Sequence, residues 1–150
     1  MSKIINENLI KLNLEADTRE EVICELAKLI HSEGRLVSYQ DYINEVFDRE
    51  KKTSTGIGLG IAIPHGKCSA VKTPAVAFGR KKEGIKWDSM DGEPVKIVFL
   101  LAVPSDGESC NEHLRILAAI SRRLLYEDFI EKLNTIESEK EIVELLQSVI

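Results

Sequence analysis

Ile10, Leu12 and Leu14 alternate with polar residues, a period of two that predicts a first strand. The period changes after Thr18. Thr18 and Glu21 have capping-box spacing, Val22, Leu26, Leu29 and Ile30 recur at helical intervals, and Gly34 supplies a stop. Ser38 and Asp41 repeat the start signal ahead of Tyr42, Ile43, Val46 and Phe47, which predicts a second helix ending near Lys51. From Thr53 to Gly66 the chain reads TSTGIGLGIAIPHG. Within it Ile57, Leu59, Ile61 and Ile63 keep a period of two, so a short strand is expected to run into Pro64. Ala75 to Arg80 reads as a further strand. Val95 to Val103 (VKIVFLLAV) is almost continuously apolar, the mark of a central strand covered on both faces.

The last third is helical. Ser109 and Glu112 are spaced as a capping box before a stripe of Leu114, Leu117, Ala118, Leu124 and Leu125. A short helix is expected over Asp128 to Asn134. Ser138 and Glu141 open a final one carrying Ile142, Val143, Leu145, Leu146 and Val149. Strand, two helices, a run of strands, then helices predict an α/β fold: a three-layer sandwich with a central mixed β-sheet flanked by helices. No repeat or linker divides the chain, and 150 residues suit one domain, taken as 1–150.

Composition narrows the function classes. The formal net charge of −5 leaves no basic excess to neutralise phosphates, which argues against nucleic-acid binding and suits a partner with a basic face. No segment has the apolar length to span a bilayer, and the N-terminal residues show no signal-peptide pattern, so a cytoplasmic location is expected. Three cysteines with no CxxC pair argue against a disulfide framework.

The histidines carry the candidate chemistry. His31 lies at the end of the first predicted helix, where it suits the last carbonyls and the dipole, a structural role. His65 follows Pro64 at a predicted strand end and precedes Gly66, which leaves room for an incoming group. A neutral imidazole there is a usable nucleophile near pH 7; a surface histidine in a tight turn fits the spacing equally well. His113 falls in the first turn of the helix expected after Ser109, beside N–H groups that attract anions; taken alone it reads as a solvent-facing residue. The glycine run fails both the Walker pattern, having no GK[ST], and GxGxxG, because Ile61 occupies the third glycine position. His65 and Cys68 with Cys110 and His113 compose a second option, a Cys2His2 zinc site, although neither pair has the common CxxC knuckle.

STGIGLGIAIPHGK followed by VPSDGESCNEHLRILAAISR resembles the enzyme IIA domain of the phosphoenolpyruvate-dependent sugar phosphotransferase system, fructose/mannitol type. The resemblance covers nearly the whole chain, and IKWDSMDGEPVKIVFLLAVP is more similar to the fructose-type carrier than to the nitrogen-regulatory one. It implies that His65 is phosphorylated by the phosphocarrier protein HPr and passes the group to a cysteine of the IIB component. It also implies that His113 orients the phosphoryl group, that Arg49 stabilises it, and that Thr55, Gly56 and Gly58 belong to the binding turn. The family often carries Asn or Glu where this chain has Leu59.

Phosphoryl transfer needs positioning and charge stabilisation more than elaborate bond chemistry, so no metal or cofactor is expected. Two protein partners require an open face and a small transient contact. The alternative within the same resemblance is a nitrogen-type regulatory protein acting by phosphorylation-dependent binding.

Overall fold

The computed structural model describes residues 4–105 and 108–149, with side chains at 4–105 and 115–149. After a 3-10 turn at Glu7–Leu9 come β1 (Ile10–Lys11), α1 (Arg19–Ser32), α2 (Tyr39–Lys52), β2 (Gly56–Gly58), β3 (Ile61–Ala62), β4 (His65–Lys67), β5 (Ala75–Ile85), β6 (Val95–Val103), α3 (Glu108–Arg123), α4 (Glu127–Thr135) and α5 (Glu139–Gln147). The three-layer α/β sandwich with a mixed sheet is as expected.

Helix starts follow the cap signals. The Thr18 side chain accepts the Glu21 N–H, and Ser38 and Ser138 do the same for Asp41 and Glu141. The Thr18 hydroxyl also donates to the Glu21 carboxylate, which ties the two residues of the predicted capping pair together side chain to side chain. Gly34 takes φ +73 just beyond α1, and its N–H reaches the His31 carbonyl. His31 packs edge-on against Tyr39, a structural placement. α3 begins at Glu108, so Ser109 lies inside its first turn instead of capping it.

The sheet runs β1-β5-β6-β3-β2, with β4 also paired to β6. β6 is central. It is antiparallel to β5 and parallel to β3 at Ile97–Val98 and to β4 at Leu101–Val103. Alternation sends Val98, Leu100 and Ala102 into the core under α1 and α2, and Ile97, Phe99, Leu101 and Val103 into the core under α3–α5.

The strand readings need four corrections. The expected first strand is only two residues of ladder, although Ile10, Leu12 and Leu14 are all buried. The stretch from Ile57 to Ile63 is not one strand but a hairpin: Gly58 faces Ile61 across Leu59 and Gly60, at φ +60 and +78. Two left-handed residues make the tight turn whose twist matches a β-ribbon. Leu59 and Ile57 consequently project into solvent. His65 does not end that strand but starts a separate one, β4. The strand expected over Ala75–Arg80 continues to Ile85, with its pairing to β6 irregular beyond Arg80.

Arg80 is the least expected core residue, 1% exposed. Its guanidinium donates to the carbonyls of Leu12 (3.3 Å), Leu133 (3.1 Å) and Ile136 (2.6 Å) and pairs with Glu137 at 3.1 Å. It thereby neutralises the carbonyl-rich end of α4 from below the helix.

Gly66 has a packing role instead of the open space expected after His65. A Cβ there would meet Val46 Cγ2 at 2.9 Å and the Tyr42 ring at 3.0 Å. The absent side chain lets α2 lie on β4, and the Tyr42 hydroxyl reaches the Leu101 carbonyl at 2.8 Å. Gly66→Ala is therefore expected to lower the stability of the fold by about 1–3 kcal/mol, the usual cost of overpacking. Chemical denaturation of the two proteins measures this; equal midpoints would show that α2 yields freely.

Candidate functional site

Pro64 interrupts the ladder between β3 and β4 because it has no N–H to donate. Its carbonyl still accepts the Leu101 N–H at 3.0 Å, so the chain re-enters the sheet at once and sets His65 opposite Leu101. The His65 ring is half-buried, and its Nδ1 lies 3.0 Å from the Ile63 carbonyl oxygen. A carbonyl only accepts, so in the neutral ring Nδ1 carries the hydrogen and Nε2 keeps the lone pair. Burial holds the His65 pKa below its ordinary 6.5, the Ile63 hydrogen bond opposes this, Arg49 lowers it further and Glu50 raises it. The nucleophilic, uncharged ring is thus the form favoured at neutral pH.

An open cleft of about 230 Å³ lies beside His65, walled by α2 and β4. It carries three cations, Arg49, Lys52 and Lys67, and two carboxylates, Glu45 and Asp48. Arg49 stands in the last turn of α2, and its Nη1 donates to the Thr53 carbonyl at 2.7 Å. That contact steers the guanidinium across the helix end, and a guanidinium carries further N–H donors in a planar fork suited to phosphoryl oxygens.

Thr55 is buried, and both of its donors go to Glu50. Its N–H meets Oε2 at 2.8 Å and its hydroxyl meets Oε1 at 2.6 Å. Gly56 and Gly58 lie against the loop after β5. A Cβ at Gly56 would strike Ser89 Oγ at 2.5 Å, and one at Gly58 would approach the Asp91 carboxylate at 3.2 Å. Asp91 accepts the Leu59 N–H at 3.1 Å, which ties the hairpin tip to that loop.

Glu50 and Trp87 were missed as site residues. The Trp87 indole N–H donates to Glu50 Oε2 at 3.1 Å, so one buried carboxylate accepts three bonds. A sequence signal existed for Glu50. It falls four residues after Val46 and eight after Tyr42, on the apolar stripe of α2, where a carboxylate requires partners. Nothing in the spacing pointed to Trp87.

His113 belongs to α3, but its side chain lies outside the described residues, as do those of Cys110, Ser109 and Glu112. Ile116, one helical turn after His113, packs with Leu101 and Val103 in the core under α3–α5. His65, opposite Leu101, shares that face of the sheet by strand alternation. Cys68, three residues from His65 and so on the other face, packs instead against the core under α1 and α2. A metal shared by these two residues would need one of them to leave its face of the sheet.

The sequence profile described as "Phosphoenolpyruvate-dependent sugar phosphotransferase system, EIIA 2" matches residues 3–149. The fructose-specific EIIA component of Haloferax volcanii is 39% identical, covering 100% of this chain and 96% of that protein. The fructose-specific EIIABC component of Bacillus subtilis is 38% identical over 97% of this chain, which spans only 23% of that longer protein. Among solved structures, the nitrogen regulatory protein IIA of Neisseria meningitidis superposes with a TM-score of 0.87 at 34% identity, covering 95% of this chain and 96% of that one. Mannitol IIA of Escherichia coli, in complex with phosphorylated mannitol IIB, superposes with a TM-score of 0.80 at 28% identity, covering 96% and 97%. Among the described residues no helix is long and apolar enough to cross a membrane.

The lowered pKa makes a signed prediction. Proton uptake by the His65 ring, followed by NMR, should have its midpoint below 6.5, so the lone pair persists into mildly acidic solution. A midpoint at or above 6.5 would mean that Glu50 and the Ile63 carbonyl outweigh burial and Arg49.

Proposed function

The chain belongs to the EIIA 2 family of the phosphoenolpyruvate-dependent sugar phosphotransferase system, and on that premise we propose that it is a phosphocarrier whose acceptor is His65. The observation that carries this reading is the 3.0 Å contact between Nδ1 and the Ile63 carbonyl in a half-buried ring bordering a cationic cleft. It leaves Nε2 as the attacking atom.

The donor is the phosphohistidine of HPr. The Nε2 lone pair forms the new P–N bond while the P–N bond of HPr breaks, and that electron pair returns to the HPr imidazole. No proton has to leave His65, because its hydrogen stays on Nδ1 against Ile63. In the second transfer a IIB cysteine thiolate attacks phosphorus, and the bonding pair falls back onto Nε2. Arg49 meets the phosphoryl oxygens through its fork, supported by the charges of Lys52 and Lys67 in the same cleft. His113 donates to a phosphoryl oxygen from α3. Thr55, Gly56 and Gly58 form the turn that supports the site, with Thr55 acting through Glu50. The two carboxylates at the rim keep the cleft from being a general anion trap and suit a partner bearing basic residues.

Feeding a sugar transporter through IIB is the role favoured by the fructose-specific relatives. A regulatory role within the same chemistry is favoured by the likeness to the Neisseria nitrogen regulatory protein. Transfer of label from this protein to a IIB domain selects the first, and failure with every IIB domain tried selects the second.

Two substitutions test the site. With enzyme I, HPr and labelled phosphoenolpyruvate, His65→Ala should take up no label; labelling at the natural rate would remove His65 from the mechanism. Arg49→Lys keeps the charge but loses the planar fork. It should slow acceptance about 10-fold, corresponding to the loss of one charge-assisted hydrogen bond. Unchanged single-turnover rates would make Arg49 a bystander.

A further inference from the structure

Glu50 is 7% exposed and sits in the last turn of α2. It takes the Thr55 N–H, the Thr55 hydroxyl and the Trp87 indole N–H at 2.8, 2.6 and 3.1 Å. The chain of bonds does not stop there. The Thr55 carbonyl accepts the Ile63 N–H at 3.0 Å, and the Ile63 carbonyl in turn faces His65 Nδ1 at 3.0 Å. Two residues, Thr55 and Ile63, therefore connect a buried carboxylate to the imidazole that the preceding section assigns as acceptor.

From this geometry we propose that Glu50 is a positioning residue for His65, fixing the hydrogen on Nδ1 by holding the Thr55–Ile63 peptide pair in place. The proposal rests on the reading of His65 as phosphoryl acceptor.

The Thr55–Ile63 bond is the rung just beyond the regular β2–β3 pairing of Gly56 with Ala62, where a ladder frays unless something anchors it. Gly56 and Gly58 bring conformational freedom on one side of this rung, and Pro64 removes an N–H on the other. Glu50 supplies the anchor, grasping Thr55 through both donors. Trp87, 1% exposed, holds the carboxylate from the opposite side. A movable Ile63 carbonyl would release the Nδ1 hydrogen, and a ring with its hydrogen on Nε2 has no lone pair there to attack phosphorus. Arg49 immediately precedes Glu50, so the same anchor steadies the turn from which the guanidinium reaches the Thr53 carbonyl.

The test compares Glu50→Gln and Glu50→Ala in the full chain. The glutamine oxygen can keep the Thr55 N–H and the Trp87 indole while its NH2 donates to the Thr55 hydroxyl oxygen, so geometry survives without the charge. Alanine removes all three contacts. Ring 15N NMR of the unphosphorylated protein reads the tautomer, and acceptance from phosphorylated HPr gives kcat and KM separately. Glu50→Ala is expected to mix the tautomers and to lower kcat by about 100-fold, the scale of an ångström misplacement, with KM little changed. Glu50→Gln is expected to keep hydrogen on Nδ1 and most of kcat. A folded Glu50→Ala protein with the natural tautomer and kcat overturns the proposal, as does a Glu50→Gln protein that keeps the tautomer but loses as much kcat as alanine. If Glu50→Ala does not fold, Thr55→Val carries the test. It loses one of the two grips, so a partial tautomer shift with reduced kcat is expected, and no change in either overturns the proposal. A natural protein that takes no label on His65 would sink the phosphocarrier reading, while the tautomer measurement still decides the link from Glu50 to the ring.

Discussion

The site depends on one constraint: β6 is a single rail to which the chain returns three times. β5 runs along one edge, and β3 and β4 attach in succession along the other. Pro64 would ordinarily end such an edge, but its carbonyl takes the Leu101 N–H and the strand resumes with His65 in register. His65 therefore inherits its position from a strand whose side chains are buried on both faces, Lys96 excepted. Two of the three cations of the cleft, Arg49 and Lys52, come from α2, which is pinned to the same rail by the Tyr42 hydroxyl on the Leu101 carbonyl. His65 and the helix that carries Arg49 are held to one another through residue 101.

The electrostatics of the cleft are a compromise. Burying an imidazole favours its neutral form, which the proposed attack on phosphorus requires, whereas a phosphorylated product would need nearby positive charge. Arg49 suits both stages of the proposed reaction, since it disfavours the protonated ring beforehand and would attract the anion afterwards. Glu50, adjacent in sequence, opposes it on the first count but spends its carboxylate on Thr55 and Trp87. Neighbouring residues of opposite charge on one helix end thus face different tasks because one is buried and the other borders the cleft.

Much of this was legible in the chain because it is written in local chemistry. The strand Val95–Val103 has the bounds its apolar run implied, and three helix starts coincide with serine or threonine caps whose side chains make the expected bonds. His65 stood out through Pro64, Gly66 and a family signature, although the spacing alone left it open. What escaped depends on turn conformation and on tertiary contacts that periodicity does not encode. The period of two from Ile57 to Ile63 hides a reversal because Leu59 adopts a left-handed conformation usually reserved for glycine or asparagine. The packing role of Gly66 needed Tyr42 and Val46, and the partners of Glu50 come from residues 55 and 87.

Arg80 ties the last third of the fold to the sheet in a way that reaches beyond packing. Its charge is tolerated in the interior because carbonyls of Leu133 and Ile136 and the carboxylate of Glu137 surround it. Without those residues Arg80 would face water, and so would the apolar side of the sheet at Ile97, Phe99 and Leu101, which Leu133, Ile142 and Leu146 cover. The strand that positions His65 is therefore clad on this face by the last helices of the chain, so their docking and the order of the candidate site are one event.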